Sequence, residues 1–132
     1  LLVQKPAELN GAALSAINVG ARLGVTGQAL NVPADAAAQA VLAKQLADMR
    51  VQLRDASGKA IAEGKGSDVL GNPLNAVVWL AAALKAEGKA LKAGQYVSLG
   101  SFSPLLPPKA GMHISVHYEG VPGLGGASLA FQ

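Results

Sequence analysis

The first segment whose residues could do chemistry is a glycine turn, Gly64-Lys65-Gly66. A phosphate loop needs four residues between its glycines and then Gly-Lys-Ser/Thr, and a dinucleotide loop needs Gly-x-Gly-x-x-Gly. Neither spacing is present, because the next glycine, Gly71, follows Gly66 by five residues. Glycine is the usual residue where two backbones crowd or where φ turns positive. The spacing therefore favours a structural turn that brings a strand edge close to the start of a helix.

The two histidines, His113 and His117, are the next candidates. They lie in a stretch that alternates apolar and polar residues, which predicts a strand. In a strand both side chains point to one side, about 13 Å apart at about 3.3 Å per residue. A metal ion needs ligand atoms at about 2 Å, so the pair cannot bind one ion directly. We expect both histidines on the polar face of the strand.

Carboxylates and hydroxyls give weaker signals. The eight acidic residues form no Glu-x-Glu, Asp-x-Asp or His-x-x-Glu pattern, although a site for a hard cation needs converging carboxylates. Asp68, beside the glycine turn, suits either a cleft or a cap for the approach to a helix. Ser101 and Ser103 flank a predicted strand end, where a hydroxyl either binds a substrate oxygen or satisfies the loop backbone. No Gly-x-Ser-x-Gly elbow surrounds them, which argues against a nucleophile.

Capping residues and periodicity predict two helices. Asn72 suits the N-cap of a helix and Pro73 its first position. Apolar residues then recur at helical spacing up to Gly88, a fitting stop, so we predict the main helix at about 73–87. At about 1.5 Å per residue it is roughly 22 Å long, too short for the roughly 30 Å hydrocarbon core of a bilayer. High helix propensity predicts a shorter helix at about 34–47.

Alternating apolar and polar residues, bounded by turn residues, predict the strands. The sequence Asp55-Ala56-Ser57-Gly58 separates two such runs and predicts a hairpin. The predicted strands are 13–25 (interrupted by glycines), 49–54, 60–63, 96–102, 112–119 and 127–131. We therefore predict an α+β fold with a β-rich mixed sheet, in a single domain that spans residues 1–132.

Composition narrows the function classes. The chain has 132 residues, of which 14% are charged, against roughly 25% in an average domain. This low charge, with much alanine, suggests buried subunit contacts. The net charge of +3 is scattered and only 4% of residues are aromatic, so we expect no nucleic-acid partner. The absence of cysteine excludes disulfides and thiol catalysis and fits a reducing, cytoplasmic location. No apolar run is long enough for a transmembrane helix, and we expect no membrane partner.

One set of residues in the second half of the chain carries a resemblance to a known enzyme family: Gly64, Gly66, Ser67, Leu70, Gly71, Pro73, Leu74, Asn75, Trp79, Leu80, Leu91, Gly94, Gly100 and Ser101. In these residues the sequence resembles the 2-keto-4-pentenoate hydratase / 4-oxalocrotonate decarboxylase branch of the fumarylacetoacetate hydrolase superfamily. The resemblance covers residues 49–132, and more loosely 13–27. Asn72 stands where this family often has histidine, and Gln95 stands where it has aspartate.

The resemblance implies a β-rich roll of the fumarylacetoacetate hydrolase type, a Mg²⁺ or Mn²⁺ ion and a 2-oxo acid substrate. Ser101 matches a family hydroxyl near the substrate, and Asn18 loosely matches a family asparagine. Asp68 is a further candidate for substrate binding. The motif residues Gly64, Gly66, Gly71, Pro73, Asn75 and Trp79 are expected to be structural. The family's acidic metal ligands have no counterpart here, and its chains are roughly twice as long, so the sequence looks like a C-terminal portion whose metal ligands lie outside it.

Three readings of function follow from the resemblance. The first is a metal-dependent hydro-lyase that adds water to a 2-hydroxy-2,4-dienoate or 2-oxo-4-enoate in aromatic meta-cleavage catabolism. The second is a 4-oxalocrotonate-type decarboxylase. The third is a non-catalytic structural or complementing subunit, favoured by Gly20 and Ala21, which replace two family serines. In each case the expected partners are a small dienoic acid and further copies of the chain or a complementing chain.

Overall fold

A computed structural model of the chain describes residues 10–16 and 23–132. Within these residues the chain forms three helices and four strands. A short 3-10 turn, Gly66–Asp68, follows the second strand. The elements in chain order are α1 (Gly11–Ala16), α2 (Ala36–Asp48), β1 (Arg50–Asp55), β2 (Ala60–Lys65), α3 (Leu74–Ala86), β3 (His113–Glu119) and β4 (Ala127–Ala130).

The four strands form one sheet in the order β2-β1-β3-β4. All three pairings among the described strands are antiparallel, so the α+β class is confirmed but the predicted mixed sheet is wrong. Alternation of apolar and polar residues reports which strand face is buried, but it says nothing about strand direction. Direction depends on the connections, and the short hairpin after Asp55 allows only an antiparallel neighbour.

A small core lies between the sheet and α2. Met49, Val51 and Val121 are buried together. Leu42 and Leu46 pack against them from α2, because their spacing of four residues places both on one face of that helix. Partly buried side chains that complete the cluster are Leu30, Leu53, Phe102, Val116, Tyr118 and Leu124.

The two predicted helices are present, at Ala36–Asp48 and Leu74–Ala86. Each has 13 residues, so the prediction that the first would be shorter is wrong. Asp35 caps the start of α2, since its carboxylate accepts a hydrogen bond from the Ala38 N–H at 2.8 Å. Gly88, two residues beyond the end of α3, has a φ of 69°. No helix of the described residues is long and apolar enough to cross a membrane.

Two predicted strands are absent from the described residues. The prediction at 13–25 fails because Gly11–Ala16 is helical, with the Asn10 side chain accepting from the Ala13 N–H at 2.9 Å, and because 23–25 is irregular. The intervening 17–22 lie outside the described residues. The prediction at 96–102 fails because no neighbouring strand pairs with this segment, and because Gly100 has a φ of 124°, which a strand does not accommodate.

Candidate functional site

The segment that carries the resemblance folds as a tight connection between β2 and α3. Leu70 and Gly71 both have positive φ values, 53° and 76°. For leucine this conformation is strained. A hydrogen bond stabilises this backbone conformation, since the Asn75 amide donates to the Leu70 carbonyl at 2.8 Å. The Gly71 N–H also donates to the Ser67 carbonyl at 2.9 Å. Two hydrogen bonds thus hold the connection together before α3 begins.

Asn72 joins the two helices at this point. Its side-chain oxygen accepts from the Leu74 N–H at 3.0 Å and satisfies a free donor at the start of α3. Its side-chain amide donates to the Ala43 carbonyl of α2 at 2.9 Å. One side chain therefore caps α3 and fixes its start against α2. Pro73, which follows, is fully buried.

Gly64 and Gly66 lie where the backbone of another segment approaches closely. A Cβ atom on Gly64 would lie 2.7 Å from the carbonyl carbon of Phe102 and closer still to its oxygen. A Cβ atom on Gly66 would lie 2.9 Å from the carbonyl carbon of Leu46. Carbon atoms normally pack at about 3.5–4.0 Å, so neither position has space for a side chain. The two glycines position segment 100–103 and the end of α2 against β2.

Ser101 lies in the segment that packs against Gly64. Its hydroxyl donates to the carbonyl of Ser103 at 2.5 Å and its residue is exposed. The neighbouring Gly100 faces Val69, since a Cβ atom there would lie 3.5 Å from a Val69 methyl group. The structure thus brings Ser101 next to the glycine turn, although the two are about 35 residues apart in sequence. The Ser101 oxygen retains lone pairs that can accept a further hydrogen bond.

Asp68 is used locally. Its carboxylate accepts from the Lys65 N–H at 2.7 Å across the 3-10 turn. This contact is the capping arrangement that the sequence offered as one of two roles for Asp68. The side chain remains exposed, so the capping contact leaves its second carboxylate oxygen accessible to solvent.

Sequence reasoning missed a basic groove beside this turn. Arg50 and Lys65 face each other across β1 and β2, and with Ser67, Ala47 and Asp48 they line a groove of about 540 Å³. Like charges opposite one another in a sheet repel. The Arg50 guanidinium has only a long contact, 3.9 Å, with Glu63. The sequence does show two basic residues, one in each arm of the predicted hairpin. Only the register of the two strands shows that these residues are neighbours.

A second groove, of about 310 Å³, lies at the other end of the sheet and includes Asp55 and His113. The Ser57 hydroxyl donates to the Asp55 carboxylate at 2.6 Å and lowers its pKa below the usual value. His117 shares a hydrogen bond of 3.0 Å with Ser115. Both histidines are exposed on β3, at the strand positions that the sequence predicted.

The described residues do not form a metal site. No group of three or more His, Cys, Asp or Glu side chains within 10–16 and 23–132 is arranged to hold an ion. Asn18, the other residue that the resemblance assigns to the substrate, lies outside the described residues. The described candidates are thus Ser101, the basic groove and the carboxylate of Asp68.

Comparison with characterised proteins points to one enzyme branch. The chain is 41% identical over 64 residues to the 2-keto-4-pentenoate hydratase of Paraburkholderia xenovorans LB400, which covers 48% of this chain and 24% of the relative. It is 40% identical over 75 residues to the 2-hydroxyhexa-2,4-dienoate hydratase of Comamonas testosteroni, covering 57% and 27% of the two chains. The matched part thus spans about a quarter of the length of these relatives. No protein-family model matches the sequence.

Two solved structures share the fold. They are the 4-oxalocrotonate decarboxylase of Pseudomonas putida G7 with calcium and acetate, and the same enzyme with magnesium and adipate. Each has a TM-score of 0.59 and 32% identity, and the match covers 67% of this chain and 32% of the decarboxylase. The resemblance to the 2-keto-4-pentenoate hydratase / 4-oxalocrotonate decarboxylase branch is therefore confirmed over part of the chain.

Proposed function

We propose that this chain is part of a divalent-metal-dependent hydro-lyase in aromatic meta-cleavage catabolism. The enzyme adds water to a 2-hydroxy-2,4-dienoate or to the corresponding 2-oxo-4-enoate. The observation that carries the proposal is the 40% identity over 75 residues to a 2-hydroxyhexa-2,4-dienoate hydratase. The fold match to a decarboxylase solved with a divalent cation and a dicarboxylate supports the same class of site.

The chain contributes the scaffold side of the site. We propose a roll of the fumarylacetoacetate hydrolase type, of which residues 1–132 form the C-terminal portion. The metal is Mg²⁺ or Mn²⁺, and it supplies a Lewis acid for a 2-oxo acid when bound. The described residues do not fit such an ion by themselves. Its carboxylate ligands therefore belong to a part of the assembled enzyme outside these residues.

The described side chains suit recognition of an acid. The Ser101 hydroxyl is exposed beside the glycine turn, and it can donate to a substrate oxygen once its proton turns away from the Ser103 carbonyl. Two cations, Arg50 and Lys65, and one carboxylate, Asp48, line the groove at the open end of the β1–β2 hairpin, so we expect a positive potential there. Such a potential attracts an anionic substrate and steers its carboxylate towards the groove. Asn18 and Asp68 complete the proposed set of polar residues for the substrate.

The test is purification of the full-length protein from the cells that produce it, followed by intact mass, metal analysis and assay. We expect consumption of 2-hydroxypenta-2,4-dienoate that stops with a chelator and returns with Mg²⁺. Replacing Ser101→Ala should weaken substrate binding, whereas Ser101→Thr, which keeps the hydroxyl, should retain most of it. If the protein purifies alone, holds no divalent ion and consumes no dienoate, the enzymatic proposal is wrong.

Two other functions have specific support. A 4-oxalocrotonate-type decarboxylase is favoured by the fold match, and release of CO₂ from 4-oxalocrotonate without hydration of the dienoate would identify it. A non-catalytic complementing subunit is favoured by the lack of a carboxylate cluster in the described residues. In that case the chain would co-purify with an active partner, and neither Ser101 nor the basic groove would affect turnover.

A further inference from the structure

Helix α3 is apolar on all sides. Among its 13 residues only Asn75 and Lys85 are polar. A helix of this kind is normally enclosed by protein on every side. Here none of its residues is buried, and Val78 and Trp79 are 67% and 68% exposed. We call the exposed side the α3 outer face, which consists of Leu74, Val78, Trp79, Ala81, Ala82 and Ala86.

A second apolar surface adjoins the same helix. Leu80 and Leu84, on the half-buried side of α3, line a groove of about 910 Å³ with the segment 88–97. Tyr96 in this groove is 90% exposed. The helix is thus uncovered along one side and only partly covered along the other. Contiguous apolar surface of this kind marks an interaction site in a folded protein.

The solvent-exposed area of the chain is larger than that of a compact protein of its mass, which indicates a surface that a further contact would bury. The chain exposes 9866 Å², whereas a compact protein of 13.2 kDa exposes about 6,400 Å². A specific interface needs only about 800 Å² per partner.

The part of each relative that has no counterpart in this chain suggests which partner covers this surface. Sixty-four matched residues make up 24% of the hydratase relative, so that chain has about 270 residues. The fold match likewise leaves 68% of the decarboxylase without a counterpart here, since it covers 32% of that chain. A second copy of this chain could also cover α3, but one chain has no group of three or more His, Cys, Asp or Glu side chains arranged to hold an ion in its described residues.

We infer that the α3 outer face docks the remainder of a hydratase-like fold, the part that carries the metal ligands. The inference rests on the proposed function, because that function requires such a part. It adds the location of the contact: the face formed around Val78 and Trp79, on the helix that directly follows the Gly64–Pro73 connection.

The experiment uses a chimera of the full-length P. putida G7 decarboxylase, in which its matched third is replaced by the matching residues of this chain. Trp79→Glu is made in the chimera and in the 132-residue chain. Ala56→Glu adds the same carboxylate at the exposed hairpin turn and serves as the control. Trp79→Phe keeps an apolar ring. Thermal unfolding and sedimentation velocity are measured for each protein.

We expect Trp79→Glu to leave the melting temperature of the 132-residue chain nearly unchanged, because the side chain is exposed there. In the chimera the same change should lower it by about 5 °C or more, since a charge would be buried in an interface. Ala56→Glu and Trp79→Phe should have small effects in both proteins.

Three results would overturn the inference. One is an equal, small effect of Trp79→Glu in both proteins. Another is a chimera that does not fold with Trp79 intact. The last is self-association of the 132-residue chain that Trp79→Glu abolishes, because the occupant is then a second copy. Stability is measured without turnover, so an inactive chimera that shows the expected difference would contradict the proposed function and leave the docking intact.

Discussion

Replacement of Gly64 by alanine tests whether close backbone approach, rather than phosphate binding, explains the glycine turn. The added Cβ atom would lie 2.7 Å from the carbonyl carbon and 3.3 Å from the Cα atom of Phe102. Because ordinary carbon contacts need about 3.5–4.0 Å, and the Phe102 carbonyl oxygen would lie closer still than its carbon, β2 and segment 100–103 must separate by more than about 1 Å. Phe102 also packs against the core cluster, so this movement would disturb the apolar contacts around Val51.

The expected cost follows from this displacement. Forcing one extra carbon into a well-packed region costs about 1–3 kcal/mol. The obstacle here is backbone, which cannot rotate away as a side chain can, so we expect about 3 kcal/mol. For a chain of this size that corresponds to a fall in melting temperature of roughly 10 °C. The midpoint of urea unfolding should fall by about 1–2 M at a typical slope.

The assay is urea unfolding followed by circular dichroism, with Gly24→Ala as the matched control. No atom lies within 4 Å of a Cβ atom at Gly24, and its φ is not positive. Gly24→Ala should therefore leave stability unchanged or slightly raised. Gly66→Ala should resemble Gly64→Ala, since its Cβ atom would lie 2.9 Å from the Leu46 carbonyl carbon. If Gly64→Ala unfolds at the same urea concentration as Gly24→Ala, the explanation by close approach is refuted.

Three further predictions concern local structure, each measured by equilibrium unfolding. Leu70→Gly should stabilise the chain by about 1 kcal/mol, because leucine at a φ of 53° is strained and little of this exposed side chain is buried. Destabilisation would show that the contacts of the leucine side chain outweigh its backbone strain. Asn72→Ala should lower the free energy of unfolding by about 1–2 kcal/mol, and Asn72→Asp, which keeps the acceptor but loses the donor, should lower it by less. Equal losses for the two variants would mean that the cap contributes little. Because the pKa of Asp55 is lowered in the folded chain, its carboxylate stabilises the fold above the unfolded pKa, and this stability is lost as the pH falls through the folded pKa. Ser57→Ala should therefore make the stability of the chain depend less on pH below about pH 4. An unchanged pH dependence would contradict the role of Ser57.

Local signals in the sequence were sufficient for the helices and the hairpin. α3 lies close to its predicted bounds because Asn72 caps its start, as the sequence indicated. α2 lies close to its predicted bounds because its alanine-rich segment has a high helix propensity. The hairpin forms because the Asp55 carboxylate accepts from the backbone N–H groups of Ser57 and Lys59, at 2.9 and 3.1 Å. These contacts span four residues at most, so they depend on neighbours that a single sequence already shows.

The remaining features depend on contacts between distant residues. Segment 96–102 has the alternation of a strand, but a strand needs a partner, and here Phe102 packs into the core instead. The glycines at 64 and 66 indicated crowding, yet nothing local identifies Phe102 and Leu46 as the crowding partners. The positive φ of Leu70 could not be predicted, because leucine is not a residue type that favours this conformation. Of the site, the sequence offered Ser101, but the pairing of Arg50 with Lys65 needed the register of the sheet.

Asn72 has a consequence for how the protein responds to acid. Its amide supplies an acceptor to α3 and a donor to α2, and an amide does not titrate. A histidine at this position could supply the same two bonds while neutral, since imidazole then has one acceptor and one donor. On protonation both ring nitrogens become donors, and the bond to the start of α3 would be lost. Asparagine thus makes the junction of the two helices insensitive to acidification over the range in which a histidine would loosen it.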